Sequence, residues 1–175
     1  MNTSTETIYF RIYRTINQMM RDRGYIVDPD NLDLQIEKFK LIFANDPRNL
    51  NEVFQNAEGE RIMACFDPID RLDTKTVQSL VKKMEDSAVP RMVLVGNNGI
   101  ATPSGLRVLE SYKSLGSWIE FFEFDEVVIN ITEHELVPKH EPLSEKEKAE
   151  VLSRYSVKET QLPRILRTDP VAKYL

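Results

Sequence analysis

A mixed α/β fold in two parts is what this sequence predicts, and three observations carry the expectation. Apolar runs at residues 62–66 and 92–95 bracket the helical period Val77, Leu80, Val81, Met84, and a strand, helix, strand succession makes a parallel crossover. Helix start signals recur along the whole chain. The 175 residues, 41% hydrophobic, suffice for one well-packed domain or two small ones. Charge is uneven: from Leu136 onward eight Lys or Arg face six Asp or Glu, a balance of +2, so the net −5 leaves −7 for the part before it. The expected organisation is an N-terminal module of helices on a small mixed sheet, residues 1–132, and a small α+β C-terminal module, residues 133–175.

In order, Thr3 and Glu6 form a capping box, and Ile8, Ile12, Ile16 and Met19 or Met20 recur at helical spacing until Gly24, with Arg21 and Arg23 in the last turn. Asp28 and Pro29 open a second helical stretch whose buried face is Leu32, Ile36, Phe39 and Phe43, ending near Asn45, Asp46 and Pro47. After a turn, apolar runs at Val53 and Phe54 and at 62–66 flank Ala57, Glu58, Gly59 and Glu60, which predicts a strand pair with a four-residue connection. Asp73 or Thr74 caps the next helix, and Met92 begins a short apolar strand. Residues 118–122 and 127–131 complete the module as two further strand candidates. Their Trp and Phe side chains read as core, because no basic residues interleave with them to make a base-stacking platform.

The glycine-rich loop 96–101 delivers the chain to Thr102, Pro103, Ser104 and Gly105. Thr102 is a good N-cap and Pro103 a good first helical residue, so free N–H groups of Ser104 and Gly105, with the Ser104 hydroxyl, are expected to face outward from the positive end of a helix dipole. Such an end can receive a phosphate. From these residues alone, a plain capped helix start is the simpler reading. In the C-terminal part a short strand is expected to end at Pro138. Ser144 and Glu147 form another capping box, Ala149, Leu152 and Tyr155 follow at spacings of three, and Asp169 before Pro170 repeats the start signal. The corners Leu162-Pro163 and Asp169-Pro170 fix backbone direction.

The stretches HELVPKH (134 to 140), VLSRYSVKETQLPRI (151 to 165) and TDPVAKYL (168 to 175) closely resemble the C-terminal module of the fifth common subunit of eukaryotic nuclear RNA polymerases, a module that a small archaeal polymerase subunit matches on its own. The resemblance extends upstream to RDRGY (21 to 25) and the TPS corner (102 to 104). Two departures stand out: the loop before TPS looks slightly longer than is usual in the family, and the chain stops at Leu175 where the family continues, so the second module is expected to be cut short. The resemblance implies a restriction-endonuclease-like N-terminal module that forms part of the jaw around incoming DNA, with Thr102, Pro103, Ser104, Gly105 and Arg107 close to the duplex. It further implies that the C-terminal module docks on the largest subunit through His134, Leu136, Pro138, His140, Tyr155, Gln161, Leu162, Pro163, Arg164, Asp169, Pro170 and Tyr174. A nuclear, non-catalytic subunit that is not a homo-oligomer follows, or a cytoplasmic or virion one if the source is a virus with its own polymerase. A free-standing adaptor or inactive nuclease-fold protein is the alternative.

Several chemistries are excluded by residue type and spacing. His134, Glu135 and His140 lack the four-residue spacing of a metalloprotease helix and have Pro138 between them; with one cysteine and two histidines in all, no zinc site is expected. Asp67 or Asp70 followed by Asp73, Thr74 and Lys75 loosely resembles a nuclease pattern, but metal-assisted cleavage needs converging carboxylates, and Asp73 is committed to a helix cap. No triad, P-loop or dinucleotide fingerprint occurs, and no catalytic residue or cofactor is expected. Cys65, within IMACF, reads as a buried hydrophobe. No membrane span or secretory signal is present in the sequence, so the protein is expected to stay inside the cell, and the Asn130-Ile131-Thr132 sequon to stay unmodified. The acidic net charge argues against unassisted DNA binding, because such affinity comes from neutralised phosphates; contact with downstream duplex is expected only within the complex.

Overall fold

The computed structural model describes residues 5–114 and 116–175, so the Thr3 cap lies outside the described residues. The chain divides into two compact units, Met1–Ile129 and Asn130–Leu175. The first is mixed α/β. Helix α1 (Thr5–Asp22) buries Ile12, Ile16, Met19 and Met20 completely, as its periodicity requires. Its last turn leads through Gly24, at φ 87, into the two-residue strand β1 (Tyr25–Ile26), which is too short for a sequence pattern to reveal.

The second helical stretch is broken. Asp28 accepts from the Asp30 N–H to start α2 (Pro29–Leu32), and α3 (Ile36–Phe43) begins anew after Leu34. Leu34 is the reason: one continuous helix with Leu32, Ile36, Phe39 and Phe43 inward would turn Leu34 outward, whereas the break buries it and leaves Leu32 and Ile36 half-buried. Phe39 and Phe43 are buried as expected, stacked 5.4 Å apart, with Tyr9 of α1 5.2 Å from Phe43.

A 3-10 turn (Pro47–Leu50) leads into the sheet. Strands β2 (Glu52–Asn56) and β3 (Arg61–Cys65) form the expected antiparallel pair. Helix α4 (Thr74–Asp86), capped by Asp73, crosses to β4 (Arg91–Gly96), parallel to β3, and α5 (Pro103–Ser114) crosses to β5 (Trp118–Glu123), parallel to β4. Spatial order is β1-β2-β3-β4-β5. Because side chains alternate across a strand, Met63, Cys65, Met92, Leu94 and Ile119 share one face and pack with Val77, Leu80, Val81 and Met84 of α4 and Leu109 of α5. Ile62, Ala64, Val93, Val95 and Phe122 are buried on the other. There α1 reaches the sheet: the Tyr13 ring stands 6.1 Å from that of Phe66, and Arg23 pairs with Glu120 at 2.8 Å.

Residues 127–131 are not a strand. Glu123 and Glu126 form a capping box directly after β5, which winds the chain into α6 (Phe124–Val127) and tucks Val127 into the core instead of extending the sheet. The strand expected to end at Pro138 is likewise absent. After a 3-10 turn (Ile131–Glu133), the Val137 N–H bonds back to the His134 carbonyl at 2.9 Å, closing a turn, and no ladder partner lies alongside among the described residues. The remaining elements of the second unit are α7 (Glu145–Tyr155), a 3-10 turn (Glu159–Gln161) and α8 (Pro170–Tyr174). Among the described residues no helix is long and apolar enough to cross a membrane.

Candidate functional site

The corner at the head of α5 is held by a crossing segment that no local pattern announces. Leu72, fully buried, lies beside Ala101 in an isolated parallel bridge; its N–H donates to the Ile100 carbonyl at 2.9 Å and its carbonyl accepts from the Thr102 N–H at 3.2 Å. The Thr102 hydroxyl donates to the same carbonyl at 2.7 Å and accepts from the Gly105 N–H at 3.1 Å. With its one proton spent on Leu72, Thr102 can only accept from the Ser104 hydroxyl, 3.1 Å away.

The expected donor set is thereby reduced. The Gly105 N–H is capped, the Leu106 N–H goes to the Thr102 carbonyl at 2.9 Å, Pro103 has none, and the Ser104 hydroxyl is turned onto Thr102. The Ser104 N–H remains open among the described residues, with exposed Arg107 one turn on. Gly105 has a different task from phosphate approach. A Cβ there would stand 2.1 Å from the Leu72 carbonyl oxygen, so its missing side chain is what lets α5 start against the crossing segment. The preceding loop is pinned as well: the Asn98 side chain bonds Asp125, and the Gly99 N–H donates to Glu123 at 3.0 Å.

The nuclease-like carboxylates do not converge. Asp73 accepts from the Thr76 N–H at 2.9 Å and from its hydroxyl at 3.0 Å, as a cap should. Asp67 is paired with Lys83 at 2.6 Å and accepts from the Asn51 amide at 2.7 Å. Burial raises the Asp67 pKa, but Lys83 and Asn51 outweigh it and hold the carboxyl below its ordinary range. Cys65, buried beside this pair, is pushed up to about 11 by burial, so its thiol stays protonated. No group of three potential metal ligands occurs among the described residues. His134 and His140 serve their own loop, the first accepting from the Leu136 N–H at 3.2 Å and the second meeting the Pro138 carbonyl at 2.7 Å.

In the C-terminal unit the expected assembly residues fall into two groups. Asp169 caps α8 through the Val171 N–H at 2.9 Å, Gln161 accepts from the Lys158 N–H at 2.7 Å, and Tyr174 turns inward, 3% exposed, its hydroxyl 3.2 Å from the Asn130 amide. These residues shape the unit; Tyr174 is core rather than contact surface. Asn130, 7% exposed and also accepting from both the N–H and the hydroxyl of Thr132, is no glycosylation acceptor in this fold. The second group faces outward: His134, Leu136, Pro138, His140, Tyr155, Pro163, Arg164 and Pro170 are exposed, and Leu162 is half-buried. Leu143, Ile165 and Leu166, exposed by 54%, 53% and 75%, join them. Sequence reasoning missed these three, although an adjacent Ile165 and Leu166 between Arg164 and Arg167, outside any helical period, was the available signal.

Two domains of one family match this chain in sequence. RNA polymerase Rpb5, N-terminal domain, covers residues 4–84, and RNA polymerase Rpb5, C-terminal domain, covers residues 129–175. Among individual proteins, the chain is 36% identical over 179 residues to the DNA-directed RNA polymerases I, II, and III subunit RPABC1 of Caenorhabditis elegans, spanning 94% of this chain and 82% of that protein. It is also 36% identical over 176 residues to DNA-directed RNA polymerase subunit 5-like protein 1 of Arabidopsis thaliana, spanning 96% and 83%. With both domains matched in order and relatives aligned over nearly its whole length, the chain belongs to the RNA polymerase Rpb5 family.

Proposed function

We propose that this chain is a non-catalytic structural subunit of a nuclear multisubunit DNA-dependent RNA polymerase, in which its C-terminal unit docks on the largest subunit while its N-terminal unit contributes to the jaw near downstream DNA. The observation that carries the docking role is the outward-facing apolar surface of the C-terminal unit. Leu136, Tyr155 and Leu166 are 79%, 67% and 75% exposed, and α7 contains no buried residue. So many large apolar side chains left exposed in a unit of 46 residues suit a protein interaction surface. The names of the relatives supply the kind of partner. The jaw role rests on the family resemblance and on the α5 corner, whose Ser104 N–H and Arg107 suit one phosphate in a contact that positions duplex without reading sequence.

The direct test is a pull-down of the tagged full chain from its native source at moderate salt. The two largest polymerase subunits are expected at equal stoichiometry. A second bait carrying Leu136→Asp and Leu166→Asp is expected to lose them while its N-terminal unit keeps its circular dichroism. Recovery of the wild-type chain free of polymerase would overturn the proposal.

A further inference from the structure

Away from the α5 corner, the N-terminal ends of the three parallel strands surround an open cavity of about 380 Å³ that the polymerase reading does not use. Arg61 begins β3, Arg91 begins β4 and Trp118 begins β5, with Arg91 and Trp118 directly paired in the register, and Lys113 from the end of α5 closes the side. Lys113 Nζ stands 3.9 Å from the centre of the Trp118 ring, a cation–π contact that fixes both side chains. Trp118 nevertheless remains 40% exposed.

Positive charge is in excess at this rim, three cations against the single carboxylate of Glu60. Neither Arg61, Arg91 nor Lys113 forms an ion pair among the described residues. Glu60, the one acidic residue of the lining, accepts from the Asn56 amide at 3.2 Å. Of the 23 basic and 28 acidic residues of the chain, eight of each fall in Asn130–Leu175, so this local excess of positive charge sits on a unit of net charge −5. A self-contained core has no use for three cations around an exposed indole, whereas Trp and Arg together are the residues that dominate protein interfaces.

We propose that this cavity binds a short acidic segment of a partner protein, one that places an aromatic or large aliphatic side chain against Trp118 between carboxylates held by Arg61 and Arg91. The volume fits a few side chains, since ligand pockets run from roughly 300 to 1,000 Å³. Arg clusters are a recurrent means of reading acidic motifs. A nucleic acid is disfavoured, because a duplex carries a charge about every 1.7 Å and would extend over the acidic remainder of the unit, whereas a short peptide meets only the basic rim.

Trp118 is the only tryptophan in the chain, so its emission reports occupancy directly. The full chain is titrated at low salt with the blocked peptide Asp-Glu-Phe-Asp-Glu, with its amide counterpart Asn-Gln-Phe-Asn-Gln, with Lys-Lys-Phe-Lys-Lys, and with a 20-base-pair duplex. The acidic peptide is expected to give a saturable emission change that the amide peptide reproduces only at tenfold or higher concentration. Arg61→Glu with Arg91→Glu is expected to weaken the acidic peptide at least tenfold and to gain binding of the lysine peptide, a reversal that an unfolded variant cannot produce. The proposal is overturned by an acidic peptide without effect up to millimolar concentration, by equal binding of the amide peptide, or by duplex saturating the signal first. Because the readout involves no polymerase, failure here leaves the assembly reading untouched, and the pull-down can fail without affecting this result.

Discussion

The two units obey the same local rules and differ in what they bury. In the N-terminal unit, α1, α3, α4 and α5 all send side chains into a core on one or the other face of the sheet. In the C-terminal unit, α7 is signalled as well as any helix in the chain. Ser144 and Glu147 complete both halves of their capping box, at 2.8 Å and 3.3 Å, yet none of the eleven residues is buried. Caps satisfy orphan N–H groups and so decide where a helix starts. They do not hold it: an isolated helix shorter than about 12–15 residues is marginal in water, and packing of an apolar face supplies most of the stability. The C-terminal unit therefore has the start of α7 written locally but gives that helix no fully buried face, its own buried side chains being those of Val171, Tyr174 and Asn130.

A pair of truncations puts that contrast at greatest risk. Phe39 is completely buried among Phe10, Tyr13 and Phe43, so Phe39→Ala should cost ~3–5 kcal/mol of stability in urea unfolding. Leu166→Ala, at a side chain 75% exposed, should change the stability of the free chain by no more than about 0.5 kcal/mol. Its effect should emerge as weaker retention of polymerase subunits. Comparable destabilisation by both changes would show that Leu166 belongs to the core of the C-terminal unit rather than to its surface.

Gly105→Ala should rank next in cost. The added methyl meets backbone, the Leu72 carbonyl at 2.1 Å, rather than a side chain that can swing away. Overpacking of this kind costs ~1–3 kcal/mol, and amide exchange should quicken first at Leu72 and Thr102, whose N–H groups hold the corner together. Unchanged stability and exchange at those two amides would mean that α5 can start without its close approach to the crossing segment.

Much of this architecture was legible in the sequence wherever one residue both starts and orients an element. Asp73 as a cap and Val77, Leu80, Val81 and Met84 as one face define α4, and the apolar runs on either side define the crossover strands. What stayed hidden depends on contacts between distant segments. Nothing near Leu34 announces that it is buried, so α2 and α3 read as one helix. Val127 is as apolar as a strand residue, and only the capping pair of Glu123 and Glu126 tells that it turns inward on α6. The candidate DNA corner is marked by its Thr-Pro-Ser-Gly signature, but the donors actually open could not be counted without Leu72, which lies 30 residues before Thr102 and takes its hydroxyl proton.

Among the carboxylates of the N-terminal unit, Asp67 and Glu52 make its stability pH-dependent with opposite signs. Asp67 is held below its ordinary pKa, so it contributes stability above the unfolded-state value of about 3.9 that is lost as pH falls through its lower folded value. Glu52 is raised: burial dominates, with Asp28 adding to it, against the Tyr13 hydroxyl that donates at 3.0 Å. Its ionised form therefore opposes folding at neutral pH. Glu52→Gln, whose amide oxygen can still accept from Tyr13, should raise the Tm at pH 7, and the gain should shrink through the folded pKa and vanish below the unfolded value of about 4.3. A gain that persists unchanged at pH 4 would point to packing rather than charge.

At the α5 corner the expected change is slight, and the count of its donors sets the size. With the Gly105 N–H capped and the Ser104 hydroxyl turned onto Thr102, the Ser104 N–H and Arg107 are what a phosphate could meet. Ser104→Ala leaves that N–H in place and should scarcely alter the salt at which elongation complexes dissociate. Ser104→Glu sets a negative charge where the phosphate would lie and should lower that salt concentration equally on every template, because phosphate contacts carry no sequence information. Arg107→Gln should reduce the salt slope by about one, the contribution of a single released counterion. An unaltered salt midpoint for Ser104→Glu, in complexes with intact downstream duplex, would leave the corner as a helix start held by Leu72 and nothing more.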